Sequence, residues 1–168
     1  MTDVQHEIQA ASSTATGRRS SNQDAAVALK LSASDNLWGF QAVVGVADGM
    51  GGHAAGEVAS RIAADTISEV LSLRSGDQSE IIRQLASLSP EDAVVYAVQL
   101  ANQKIYQQAQ TDVEQYDMGT TLTVVAFTSD TAVVAHIGDS RGYLLNSGGI
   151  HQVTQDHSWV ARQVREQR

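Results

Sequence analysis

The chemistry in this sequence concentrates where apolar runs give way to acidic and glycine-rich turns. The run Val43-Val44-Gly45-Val46-Ala47 ends in Asp48 and opens into Gly49-Met50-Gly51-Gly52-His53. A carboxylate at the end of a buried strand is costly unless something compensates its charge. A hard divalent cation would do so, and Gly49 and Gly51, lacking a Cβ, would let backbone oxygens approach such an ion closely. An Asp that caps a helix in a tight turn fits the same residues. Upstream, Gly17-Arg18-Arg19-Ser20-Ser21-Asn22-Gln23-Asp24 sets a basic pair a few residues before an acid that opens a strand. Arginine offers a planar, permanently charged fork suited to a tetrahedral oxyanion such as phosphate; a solvated arm ending in an Asn/Asp turn is the plainer alternative. A third acid, Asp139, follows the apolar run Val133 to Ile137 in Gly138-Asp139-Ser140-Arg141, which by itself is an ordinary turn with an Asp–Arg pair.

Other chemistries are weaker. Gly49-x-Gly51-x-x-Ala54 loosely fits a dinucleotide-binding fingerprint, with Glu69 near the ribose-contact spacing. An Asp directly before the first glycine would repel a pyrophosphate, however. The five histidines, His6, His53, His136, His151 and His157, form no zinc-ligand spacing, and no G-x-S-x-G elbow is present. The expected role of His53 is to donate hydrogen bonds that fix the glycine turn. With no cysteine in the chain, thiol nucleophiles, zinc fingers, iron–sulfur clusters and disulfide scaffolds are excluded.

The elements that must position these residues fit one domain. The chain has 168 residues, 42% of them hydrophobic, and a net charge of −8 from 11 Lys plus Arg against 19 Asp plus Glu. A chain of this size buries roughly 70% of its unfolded surface without staples. The acidic balance, with Lys30 and Lys104 the only lysines, argues against nucleic acid as a partner. No secretory pattern opens the sequence and no apolar run approaches the about 20 residues of a membrane span, so a cytoplasmic protein with no membrane partner is expected.

Strands are expected at Ala25 to Leu31, Trp38 to Ala47, Thr120 to Phe127, Thr131 to Ile137 and Gly142 to Leu145. Turns at Ser129-Asp130 and at Asn146-Ser147-Gly148-Gly149 read as hairpins, which makes the second half antiparallel. Two long helices and a short one are expected between about Ala54 and Gln110. The first carries Val58, Ile62, Ile67, Val70 and Leu71 on one face, and the last carries Val94, Val98, Ala101, Ile105 and Ala109. Ser89-Pro90 with Glu91 and Asp92 is a helix start, and Ser158 caps another helix beginning at Trp159. This order indicates an α+β fold rather than a doubly wound parallel sheet.

Taken in order, these segments resemble the type 2C (PPM-type) metal-dependent protein phosphatase family, especially its compact bacterial members. The resemblance rests on Arg19-x-x-Asn22-Gln23-Asp24, on Val46 to His53 with Gly56 and Ala59-Ser60, on Met118-Gly119-Thr120-Thr121, on Ile137 to Leu144, and on Thr154-Gln155-Asp156-His157-Ser158. It implies a four-layer α-β-β-α sandwich of antiparallel sheets flanked by helices, with a two-metal centre holding Mn2+ or Mg2+ at one end. By the motif match, Asp48 bridges the two ions, the Gly49 carbonyl ligates one, Asp24 serves the other, Asp139 helps bind a weaker third metal, and Arg19 holds the substrate phosphate. The implied activity is hydrolysis of phosphoserine and phosphothreonine by a metal-bridging hydroxide, acting on phosphorylated proteins opposite a serine/threonine kinase.

Two departures matter. Met50 stands where some members have a histidine proposed as general acid, and Gln23 stands where others have Glu. Two further metal-binding aspartates that the resemblance calls for downstream are not in this sequence. Two divalent ions would therefore bring more positive charge than Asp24, Asp48 and a bridging hydroxide return. The expected organisation is a flexible arm over 1–16 and, over 17–168, the N-terminal part of a phosphatase domain lacking its C-terminal portion, with weak or no activity. A catalytically silent phosphoprotein-binding or regulatory module is the alternative.

Overall fold

The computed structural model describes residues 7–52, 55–76 and 79–166. In chain order the elements are β1 (Asp24–Lys30), β2 (Ala42–Met50), α1 (Ala55–Leu71), α2 (Glu80–Leu85), α3 (Pro90–Thr111), a 3-10 turn (Val113–Gln115), β3 (Gly119–Thr120), β4 (Leu122–Phe127), β5 (Ala132–Ile137), β6 (Tyr143–Asn146), β7 (Gly149–Gln152) and α4 (Trp159–Glu166). Strands β1-β2-β4-β5 form one antiparallel sheet with β3 continuing on β2, and β6-β7 form a separate hairpin. The fold is α+β as expected. No parallel pair exists among the described strands, which removes the βαβ unit that the dinucleotide reading requires.

The sheet sorts its side chains by the two-residue period of a strand. Val27, Val43, Ala47, Leu122, Val124 and Ala126 enter the core, where they meet Ala63, Ile67 and Leu71 of α1 and Ala93, Val94 and Ala97 of α3. The alternate residues, among them Ala26, Val44, Val46 and Val125, turn to the opposite face and border a cavity of about 360 Å3 shared with Tyr143 and Val153. Asp24 and Asp48 follow this second set along their strands. The hairpin β6-β7 is exposed along its whole length. Residues 8–16, expected as part of an arm, run without regular secondary structure, and Thr14 Oγ1 accepts a hydrogen bond from Asn22 Nδ2 at 2.8 Å.

Helix α3 starts as its cap dictates: Ser89 Oγ accepts the Asp92 N–H at 3.1 Å, with Pro90 in the first turn. Ser158 does the same for α4, accepting the Ala161 N–H at 3.2 Å. The strand expected over Trp38 to Ala47 begins only at Ala42. Its first residues instead wrap a buried amide, because Asn36 Oδ1 accepts the Trp38 and Phe40 N–H groups at 3.0 Å each. Asn36 Nδ2 donates to the Leu71 carbonyl at 2.7 Å, tying this loop to the end of α1. The amide thereby seats Phe40, which is 0% exposed in the core. No helix among the described residues is long and apolar enough to cross a membrane.

Replacing Asn36 removes the acceptor of two backbone amides and the donor to a helix end at once. Asn36→Ala is expected to lower the unfolding free energy by about 3 kcal/mol, since each buried group left unpaired costs roughly 1–3 kcal/mol. Urea denaturation would measure it, and a loss below about 1 kcal/mol contradicts the anchoring role.

Candidate functional site

Register brings the first two candidate acids together. In the β1-β2 ladder Asp24 is the Cα partner of Asp48, so residues far apart in sequence stand side by side at one end of the sheet. Strand β2 runs three residues beyond its expected end at Ala47, because Gly49 pairs with Thr120 and Met50 with Gly119 of β3. Asp48 is therefore inside the ladder and not in a loose turn.

Gly49 is held by backbone on both sides. Its N–H donates to the Gln23 carbonyl at 3.0 Å. A Cβ at this position would lie 1.9 Å from the Gly56 carbonyl oxygen, so the first turn of α1 rests directly on the strand. Gln23 Nε2 also donates to the Gly51 carbonyl at 3.4 Å, and Gly51 has φ +146°, a conformation suited to glycine. The glycine turn is thus tied by Gln23; the hydrogen bonds expected of His53 lie outside the described residues.

The other candidates bear on the Asp48 carboxyl electrostatically. Partial burial pushes the Asp48 carboxyl above the ordinary aspartate range, and the negative charge of Asp24 and a hydrogen bond with it push in the same direction. Asp139 adds a further upward push, while the Arg19 guanidinium opposes it. Arg19, Asp24, Asp48 and Asp139 therefore act on a common point. Asp24 and Asp48 line a cavity of about 390 Å3 together with Thr14, Ser140 and Arg141.

The wall carrying Ser140 and Arg141 is braced from the far end of the chain. Arg141 makes a forked contact with Asp156, Nε to Oδ1 at 3.0 Å and Nη2 to Oδ2 at 2.7 Å, so its carboxylate partner is Asp156 and not the neighbouring Asp139. The guanidinium holds the Asp156 carboxyl below its usual range. Close by, the His157 N–H donates to the Gly138 carbonyl at 2.8 Å, and the His136 and His157 rings lie 4.9 Å apart.

The donor set suits a hard cation. Two carboxylates forced together at a strand end repel each other, and an oxygen-loving divalent ion relieves that repulsion. Asp24 and Asp48 fit such an ion as its acidic nucleus. No group of three or more His, Cys, Asp or Glu side chains among the described residues is arranged to hold a metal.

Sequence reasoning missed Thr121 and Ser140 as functional positions. Thr121 is 5% exposed, its Oγ1 accepts the Asp48 N–H at 2.9 Å, and it lies 2.7 Å from Ser140 Oγ. Their placement next to the acids in the Gly-Thr-Thr and Gly-Asp-Ser-Arg segments was the available signal; a hydroxyl residue otherwise carries little mark of function.

The raised Asp48 carboxyl sets a pH dependence. A folded-state value above the unfolded one means that folding favours the protonated acid, so its contribution to stability is present at low pH and lost as pH rises through the raised value. Asp48→Asn is expected to raise the melting temperature of the metal-free chain at pH 7 and to change little near about pH 3, below the aspartate range. Added Mn2+ is expected to stabilise the wild type by mass action and not the variant. Thermal melts across pH, with and without Mn2+, check both.

Comparison with known proteins gives the chain its relatives. The family model described as "Protein phosphatase 2C" matches residues 8–163. The serine/threonine protein phosphatase PstP of Mycobacterium tuberculosis is 38% identical over 134 residues, covering 80% of this chain and 24% of that protein. Among solved structures, serine/threonine phosphatase Stp1 from Staphylococcus aureus is similar with a TM-score of 0.73 and 30% identity, covering 95% of this chain and 57% of that one. The catalytic domain of PstP, solved in complex with two manganese ions, is similar with a TM-score of 0.69 at 30% identity, covering 95% and 59%. The chain thus spans about a quarter to a half of the length of the curated relatives it matches. With the match extending over nearly all of its residues, the chain belongs to the protein phosphatase 2C family.

Proposed function

We propose that this chain serves a protein-serine/threonine phosphatase that hydrolyses phosphoserine and phosphothreonine esters with Mn2+ or Mg2+ as cofactor. The observation that carries the reading is the cross-strand pairing of Asp24 and Asp48 beside Arg19. The two carboxylates would hold the divalent ions, with the Gly49 carbonyl as a further oxygen donor and Asp139 at a weaker third position. Bound there, the ions supply an ionised water as nucleophile and neutralise charge on the phosphoryl oxygens. Arg19, whose positive charge already reaches Asp48, would bind and orient the phosphate as a fork donor. Asp24 and Asp48 keep the reacting end of the cavity acidic, so an anionic ester without a cation is repelled. Met50, which is exposed, offers no proton, and protonation of the leaving alcohol falls to water. A phosphoprotein substrate implies a serine/threonine kinase that supplies it.

The test is Mn2+-dependent hydrolysis of para-nitrophenyl phosphate and of a phosphothreonine peptide. Asp48→Asn is expected to lower turnover at least about 100-fold, the scale of losing an electrostatic stabiliser of the transition state. Arg19→Ala is expected to raise KM about tenfold with a smaller change in kcat, the signature of lost phosphate binding. Equal rates for wild type and Asp48→Asn would overturn the reading.

A further inference from the structure

The β2-β4 ladder has one rung that is not made by backbone alone. Val46 pairs with Thr123, and Gly49 with Thr120, so Asp48 stands opposite Thr121 in the same register. The Thr121 N–H donates to the Asp48 carbonyl at 2.9 Å, as an antiparallel pair requires. The return bond differs: the Asp48 N–H goes to the Thr121 side-chain Oγ1 at 2.9 Å. The Thr121 carbonyl instead accepts the Thr120 hydroxyl at 2.9 Å.

This substitution fixes a proton. With the Asp48 N–H donating to it, the Thr121 hydroxyl must still place its own hydrogen, and a buried hydroxyl donor without an acceptor is costly. Among the described residues the side-chain partner at hydrogen-bond distance able to take it is Ser140 Oγ, 2.7 Å away; either oxygen of this pair can donate, and the need to place the Thr121 hydrogen is what assigns the donor role to Thr121. The Ser140 carbonyl is held in turn by Thr123 Oγ1 at 3.3 Å. With that assignment the Ser140 hydroxyl hydrogen is committed to no protein acceptor among the described residues, and Ser140 lines the cavity of Asp24 and Asp48.

We infer that Ser140 is a hydrogen-bond donor to an oxyanion ligand, a phosphate ester or inorganic phosphate, bound in the Asp24–Asp48 cavity, and that Thr121 is the positioning residue that aims it. The Thr121 hydroxyl ties two functions together. It fixes the backbone of the acid expected to hold the metal, and it orients the donor on the opposite wall. The ligand class rests on the phosphatase reading, whereas the relay of hydrogen bonds does not.

The experiment measures Mn2+ binding to the chain by calorimetry, inorganic phosphate binding to the Mn2+-loaded chain, and hydrogen exchange at the Asp48 amide. Ser140→Ala is expected to weaken phosphate about tenfold while Mn2+ affinity stays within about twofold, in line with loss of one hydrogen bond to a charged group. Thr121→Val should weaken phosphate similarly and speed exchange of the Asp48 amide, and Thr121→Ser should restore both, which a purely space-filling role would not. Unchanged phosphate affinity in Ser140→Ala overturns the inference. So does a parallel loss of Mn2+ and phosphate, because the hydroxyl would then serve the carboxylates. A wild-type chain that takes up Mn2+ but no phosphate overturns the phosphatase reading and with it the ligand assigned to Ser140; Asp48 amide exchange in Thr121→Val still decides whether the hydroxyl stands in for the ladder acceptor.

Discussion

Two like charges held against each other are the constraint around which this structure is arranged. Asp24 and Asp48 repel, and nothing in their own strands offsets that. They stay adjacent because the β1-β2 ladder fixes their register over seven residue pairs. A slip of one residue would send one carboxylate to the core face and leave the other outside. The hydrophobic sorting of the sheet, with Val27, Val43 and Ala47 turned inward, therefore also keeps the acids on one side. Core packing and site chemistry are read from the same alternation.

The surroundings of the pair come from distant parts of the chain. Gln23 and Gly49 fix the strand end from below, α1 leans on Gly49 through Gly56, and the Ser140-Arg141 wall is tied to Asp156 by a forked ion pair. Arg19 approaches from the N-terminal side. Long-range contacts of this kind make the geometry a property of the folded domain and not of any single motif.

What could be read in advance follows from how local each signal is. The start of α3 was legible because Ser89, Pro90 and Asp92 form a self-contained cap. Asp24, Asp48 and Arg19 were legible as candidates because an acid at a strand end and a basic pair are conspicuous by type, and the motif succession named the family that the family model then matched. The pairing of Asp24 with Asp48 required a register that no local pattern states. Trp38 to Phe40 carried a strand's composition, yet Asn36 drew the amides of Trp38 and Phe40 into a loop, a choice made by a buried side chain two to four residues upstream. Gln23 was not legible as a brace of the glycine turn because its amide reaches Gly51 only once the strands are paired. Thr121 and Ser140 carried only the weak signal of their segments, because a hydroxyl gains meaning from its neighbours, and those neighbours are assembled only in the fold.

The contact of Gly49 with Gly56 carries a consequence of its own. Where most helices are cushioned from a sheet by side chains that can adjust, here main chain touches main chain with no compressible layer between. The first turn of α1 and the peptide next to Asp48 therefore leave no room for a side chain between them. Any side chain at position 49 or 56 would have to wedge helix and strand apart, and the seat of the acid with them.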